Sequence, residues 1–274
     1  MNASPATTPI VNVSKKKALR LLASPMLAFT LCGLLQAGRA QNPELPSVTV
    51  PRVTAPVVLD GIGGDAKWKH ASHIQLHNYW AKPDASPTQM TLVALLHDGE
   101  KLYLAFDCED ADVNASCTDH DGQTFRDDCV EIFLGAPLER LADTACLEIN
   151  ALGTLADYYY RHADWINYRF ESKAEIKVSR SPNYKGEREQ AGYRVEVAIA
   201  FSAIRALLSQ FPEEDAASFV EGEQRILKLR ANFARWDRGQ RGAGGERFSI
   251  WSNPLFSFPH PHSPDRYGWL LLEE

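Results

Sequence analysis

The sequence has no excess of positive charge. Its 29 Lys and Arg stand against 35 Asp and Glu, a balance that argues against partners such as nucleic acid or anionic lipid surfaces. Cysteine is scarce, with 5 in 274 residues, and no spacing among them matches a zinc motif. The glycine-rich stretch Arg238 to Arg247, "RGQRGAGGER", lacks the Gly-Lys-Ser/Thr ending of a phosphate-binding loop and follows no strand-to-helix turn. It reads as a loop. Helical periodicity is also nearly missing, since only "FSAIRALLSQ" has it clearly. There are no repeats and no low-complexity tract.

The one long apolar run falls near the start of the chain. Lys15, Lys16, Lys17 and Arg20 precede "LLASPMLAFTLCGLLQA", and "GRA" follows, with Gly38 and Ala40 at the positions a signal peptidase reads. The run is short of the ~20 residues of a membrane span, and Pro25 interrupts it. Residues 1–40 are therefore expected to be a signal peptide, with a retained anchor as the alternative. The product is expected to be secreted or periplasmic, with no membrane partner once the signal is removed. That segment holds five Lys/Arg and no Asp/Glu, so the remainder carries a formal charge of −11. Residues 41–55 read as a Pro-rich lead-in and 56–274 as one domain. Four cysteines remain: Cys108, Cys117, Cys129 and Cys146. They allow three disulfide connectivities, or buried free thiols, and the spacing does not choose.

Periodicity along the rest is mostly of the two-residue kind. Segments such as "VTVPRV", "TQMTLVALL", "KLYLAFDCE", "CVEIFL", "CLEINAL", "YRVEVAIAF", "ILKLRANFA", "RFSIWS" and "GWLLLE" alternate, with turn-forming residues between many of them. The expected class is all-β: an antiparallel β-sandwich, jelly-roll or immunoglobulin-like, with one short helix.

Side chains alternate along a strand, so each segment offers two faces. In "FRDDCVEIFL" Val130, Ile132 and Leu134 fit a core, which turns Cys129, Glu131 and Phe133 away. In "CLEINAL" Leu147 and Ile149 point in, and Cys146, Glu148 and Asn150 point out. The same rule exposes Lys228, Arg230 and Asn232 in "ILKLRANF", and Arg247, Ser249 and Trp251 in "RFSIWS". Side by side, these strands would give one sheet a polar face carrying Glu131, Glu148, Arg230, Asn232 and the Trp251 indole. An ordinary amphipathic sheet wetted on one side would show the same pattern. Trp251 argues against it, because a large ring among charged groups usually has a partner to cover it. A hairpin turning near Glu139 would set Glu131 opposite Glu148, with Cβ atoms about 5 Å apart.

Several stretches, in order, resemble the family 9 carbohydrate-binding modules: "VVLDGIGGDAKWKHA", "VALLHDGEKLYLAFDCEDADV", "RDDCVEIFL", "LEINALG", "YRVEVAIAF", "FSIWSNP" and "PHSPDRYGWLLL". The resemblance spans roughly residues 56–272. It implies a β-sandwich that takes the end of a sugar chain between two aromatic rings, without catalysis. By position it puts those rings at Phe125 and Trp251, a sugar-binding carboxylate at Glu131, and polar contacts at Arg230 and Asn232. Phe125 departs from the family's usual Trp, and Glu148 stands where a well-studied type of member has Arg. A carbohydrate ligand is thus the expected partner, with association with carbohydrate-active enzymes and a role in polysaccharide catabolism as further expectations. No cofactor is required. Calcium is an option because some members hold it, and Asp107, Asp110, Asp127 and Asp128 offer hard oxygen ligands.

Two other readings compete. The expected separation of Glu131 and Glu148 is that of a retaining glycosidase, but a flat wet sheet offers no cleft to raise one pKa, and Arg230 would lower both. A haem-binding DOMON-type relative would need axial ligands. Met90 is the single methionine after residue 40, and a lone Met defaults to core filling. His97 and His120 are loop candidates. Trp68 reads as core.

Overall fold

The computed structural model describes residues 44–79, 89–135, 144–162, 165–181, 191–208, 228–239 and 247–274. The expected signal segment and most of the glycine-rich stretch lie outside them. The strands are β1 (Ser47–Val50), β2 (Ser72–Gln75), β3 (His77–Asn78), β4 (Thr91–His97), β5 (Lys101–Glu109), β6 (Cys129–Gly135), β7 (Thr144–Asn150), β8 (Leu155–His162), β9 (Trp165–Asn167), β10 (Glu175–Ser181), β11 (Gly192–Ala200), β12 (Lys228–Asp237), β13 (Arg247–Ile250) and β14 (Gly268–Leu272). One helix, α1, spans Phe201–Leu208, inside the segment whose periodicity predicts it.

They form two sheets, as expected of a sandwich. Five strands run in the order β10-β11-β5-β4-β2, and nine make the other, with β1-β14-β12-β6-β7-β8-β9 in line and β13 joining β12 to β3. The pairings are antiparallel except β1 with β14, which is parallel. Residues 47–50, inside the expected lead-in, are thereby part of the larger sheet.

The core between the sheets follows the alternation. Val130, Ile132, Leu134, Leu147, Ile149, Leu229 and Phe233 face Val93, Leu95, Leu104, Phe106, Val195 and Val197 in one apolar cluster. Phe106 and Phe233 meet edge to face at 6.1 Å. Each such side chain contributes about 1.5–3 kcal/mol by leaving water. Phe201 and Ile204 dock α1 on the same cluster.

Neither sheet leaves its other face fully wet. Behind the five-stranded sheet, Trp68 packs with Val53, Val57, Leu96 and Tyr103, as its core assignment requires. Behind the nine-stranded sheet a second cluster joins Tyr79, Phe133, Cys146, Tyr158, Tyr160, Phe248, Ile250 and Tyr267. The expected solvated face is therefore largely covered, and every residue of β6 and β7 is buried. Cys108, Cys117, Cys129 and Cys146 are all free thiols.

Candidate functional site

The β6–β7 hairpin sets Glu131 directly opposite Glu148, the register expected from the alternation. Both acids are nearly buried, at 2% and 6% exposure, under the aromatic cover. Trp236 Nε1 donates to Glu131 Oε1 at 3.1 Å, while Glu131 Oε2 is buried with no hydrogen-bond partner. Glu148 accepts from the Tyr158 hydroxyl at 2.6 Å and from the Thr124 hydroxyl at 3.1 Å. Burial pushes the Glu131 carboxyl well above the ordinary carboxylate range. The neighbouring Glu148 pushes it further, against a weaker opposing pull from Arg238. Burial raises Glu148 too, offset in part by its Tyr158 and Thr124 hydrogen bonds. Carboxyls that keep a proton to higher pH donate as well as accept, which suits hydroxyl-rich ligands.

Trp236 is the indole on this face. On β12, Asn232 pairs with Phe133, Ala234 with Glu131, and Trp236 with Cys129. Trp236 is half-buried, its ring 4.4 Å from Phe248. The Arg238 guanidinium lies 3.8 Å over that ring and donates through both Nε and Nη2 to the Phe125 carbonyl. Phe125 sits at 37% exposure in the 3₁₀ turn Thr124–Arg126. Because Thr124 anchors that turn to Glu148, the structure brings Phe125 and Trp236 to the acid pair. Tyr168, at 53% exposure, leans on Tyr158 with ring centroids 5.4 Å apart.

Trp236 escapes the sequence reading because the strand candidate "ILKLRANFA" stops at Ala234. Carrying the alternation two residues further places an indole on the Glu131 face.

Three expected neighbours of Glu131 are elsewhere. Trp251 lies on the opposite side of the sheet, which corrects the face assignment for β13. Ile250 pairs with Ala234 and Phe248 with Trp236, so they take the outer face and send Trp251 inward. Its ring packs on Phe233 at 5.6 Å. It also covers Gly268, where any Cβ would come within 2.6 Å of the indole. Asn232 is fully buried and clasps the residue after Trp251: its amide donates to the Ser252 carbonyl and accepts from the Ser252 N–H. Arg230 is four positions along β12 from Ala234, roughly 13 Å at strand rise. It donates to the carbonyls of Tyr267, Pro264 and Asp265 and lies over Trp269 at 4.6 Å. The cation whose field reaches Glu131 and Glu148 is Arg238.

The four expected calcium candidates separate into loop-holding and ion-paired groups. Asp107 forms a two-oxygen pair with Arg194 at 2.6 and 2.7 Å. Asp127 accepts from the backbone N–H groups of Ser116 and Cys117 and from the Asn150 amide. Asp128 accepts from the N–H groups of Asn114 and Arg238. Asp110 pairs with Arg235 at 2.8 Å. Asp110, Asp128 and Asp237 converge, with carboxylate oxygens within 4.8 Å of one another. There burial, with the nearby Asp110 charge, raises Asp128 to about 7. A second convergence joins His120, Asp157 and Glu171.

Comparisons with known proteins agree with this architecture. The family described as carbohydrate family 9 binding domain-like matches residues 59–217. A solved structure from Bacteroides uniformis, described as a candidate carbohydrate-binding protein, superposes with a TM-score of 0.62 at 18% identity, covering 84% of this chain and all of that one. A family 9 carbohydrate-binding module from Caldicellulosiruptor kristjanssonii in complex with cellotriose gives 0.55 at 15% identity, over 83% and 94% of the two chains. The same organism's module in complex with glucose gives 0.54 at 16%, over 83% and 96%. Among curated proteins, none matches the chain.

Proposed function

The chain belongs to the carbohydrate family 9 binding domain-like family, which matches more than half of its length, and from that premise we propose that it binds carbohydrate without cleaving it, at the Glu131–Glu148 pair. The observation that carries the proposal is Glu131 Oε2, a buried acceptor with no hydrogen-bond partner, on a carboxyl that faces a second acid and is bonded by Trp236. A pyranose offers C–H faces for the rings and a rim of hydroxyls for the carboxyls. The modules solved with cellotriose and glucose make glucose-based chains the first ligands to try. Binding is favoured over hydrolysis because the chain's family is one of binding domains. We further assign residues 1–40 to export, and the module to work beside polysaccharide-degrading enzymes.

Calorimetry with cellotriose tests the site. The site is expected to bind on the order of micromolar to millimolar, about −8 to −4 kcal/mol. Trp236→Ala and Phe125→Ala are expected to weaken binding roughly tenfold or more, as loss of a stacking ring worth about 1.4 kcal/mol would. Full affinity in both variants would move the site elsewhere. A glycan array without a single hit would end the carbohydrate reading.

A further inference from the structure

Away from the acid pair, His120, Asp157 and Glu171 gather three potential metal ligands whose atoms all lie within 4.8 Å of one another. His120 Nε2 is 3.7 Å from Asp157 Oδ1 and 3.6 Å from Glu171 Oε2. These separations are too long for hydrogen bonds. They are close to the edges of a tetrahedron around a zinc ion, about 3.4 Å for bonds of about 2.1 Å. Asp157 provides the independent sign of a ligand. Its side chain is fully buried; one oxygen accepts from the Ser172 N–H at 2.5 Å, and the other, Oδ1, has no hydrogen-bond partner and faces the imidazole. A carboxylate oxygen left unpaired in a dry site costs more than one hydrogen bond is worth, and a cation between it and the imidazole compensates. Asp121 stands beside the group. Its Oδ1 accepts from the Asp157 N–H at 3.1 Å and lies 3.7 Å from His120 Nε2.

We propose that His120, Asp157 and Glu171 form a binding site for a divalent transition-metal ion of the zinc type. The imidazole decides the class, because calcium and magnesium take oxygen ligands while nitrogen with carboxylate suits zinc. His120 and Glu171 are about half exposed, at 49% and 58% of the side chain, so the ion enters from solvent and retains water as a further ligand. Bound there, it clasps the loop before the Phe125 turn to β8 and to the segment that follows Tyr168.

Zinc titration of the untagged full chain, stripped with chelator and followed by calorimetry and thermal melting, is the test. One zinc per chain is expected, together with a rise in Tm that grows with free zinc. His120→Ala and Glu171→Gln, both at exposed positions where folding is not at stake, should each weaken zinc binding roughly tenfold or more and abolish the Tm rise. Absence of zinc binding, or equal affinity in both variants, overturns the assignment. So does calcium binding as strong as zinc that survives His120→Ala, since that would mark an oxygen-only site.

Discussion

The molecule builds two of its clusters of buried carboxylates oppositely. Around Asp110, Asp128 and Asp237 it supplies guanidinium groups. Arg235, 1% exposed, bonds Asp110 at 2.8 Å and approaches Asp237 at 3.8 Å, and Arg247 reaches Asp237 at 3.0 Å. Arg235 also bonds the Thr91 hydroxyl and the Glu109 carbonyl, so this cluster ties the two sheets together. Around Glu131 and Glu148 it supplies neutral donors, namely an indole N–H and two hydroxyls, and leaves one oxygen without a hydrogen bond. Acids neutralised by buried cations maintain the fold. Acids held by neutral donors keep capacity for a ligand.

The largest effect that would test this contrast is expected at the cation. Arg235→Met leaves Asp110 and Asp237 with a missing partner, and breaking a buried pair this way costs about 3–5 kcal/mol. Urea unfolding should show it, and a loss below about 1 kcal/mol would erase the distinction between the clusters. Trp251→Ala comes next. It empties the space over Gly268 and should cost about 3 kcal/mol, the low end for a core aromatic, because the ring is partly exposed. Cellotriose affinity per folded molecule should not change, and a fall there would return the indole to the binding site.

The smallest effect concerns pH. The folded-state pKa of Glu131 is raised above its ordinary 4.5, so its contribution to stability is present in full below that value and is lost as pH rises through the elevated one. Wild-type stability should therefore fall from pH 5 towards pH 8 on account of this group. Glu131→Gln, which removes the charge, should flatten that slope and raise stability at pH 8. An unchanged slope would mean that the carboxyl is solvated.

The same contrast explains what could be read from sequence. The Glu131–Glu148 register follows from strict alternation in β6 and β7, where one face is purely aliphatic and fixes the phase, the two-sheet fold from the same two-residue period along the chain, and the helix at Phe201 from the helical period of its own segment. In β13 the rule fails because the strand has apolar material on both sides. Phe248 and Ile250 fit a core, but theirs is the second cluster with Tyr79 and Tyr267. Sequence has no mark distinguishing one apolar layer from two, so the face of Trp251 comes out inverted. Arg230 and Asn232 do lie on the Glu131 side. Their partners are backbone carbonyls and amides of the 252–267 segment, and that segment reaches them only through the tertiary fold. Trp236 was legible all along, two residues past a strand ended too early.

The parallel pairing of β1 with β14 runs from Ser47 beside Trp269 to Val50 beside Leu272. Tension applied ahead of Ser47 and beyond Leu272 would drag these neighbours past each other lengthwise. The bonds joining them would then bear the load together instead of opening one at a time from an end. That arrangement resists a pull on the two ends of the domain.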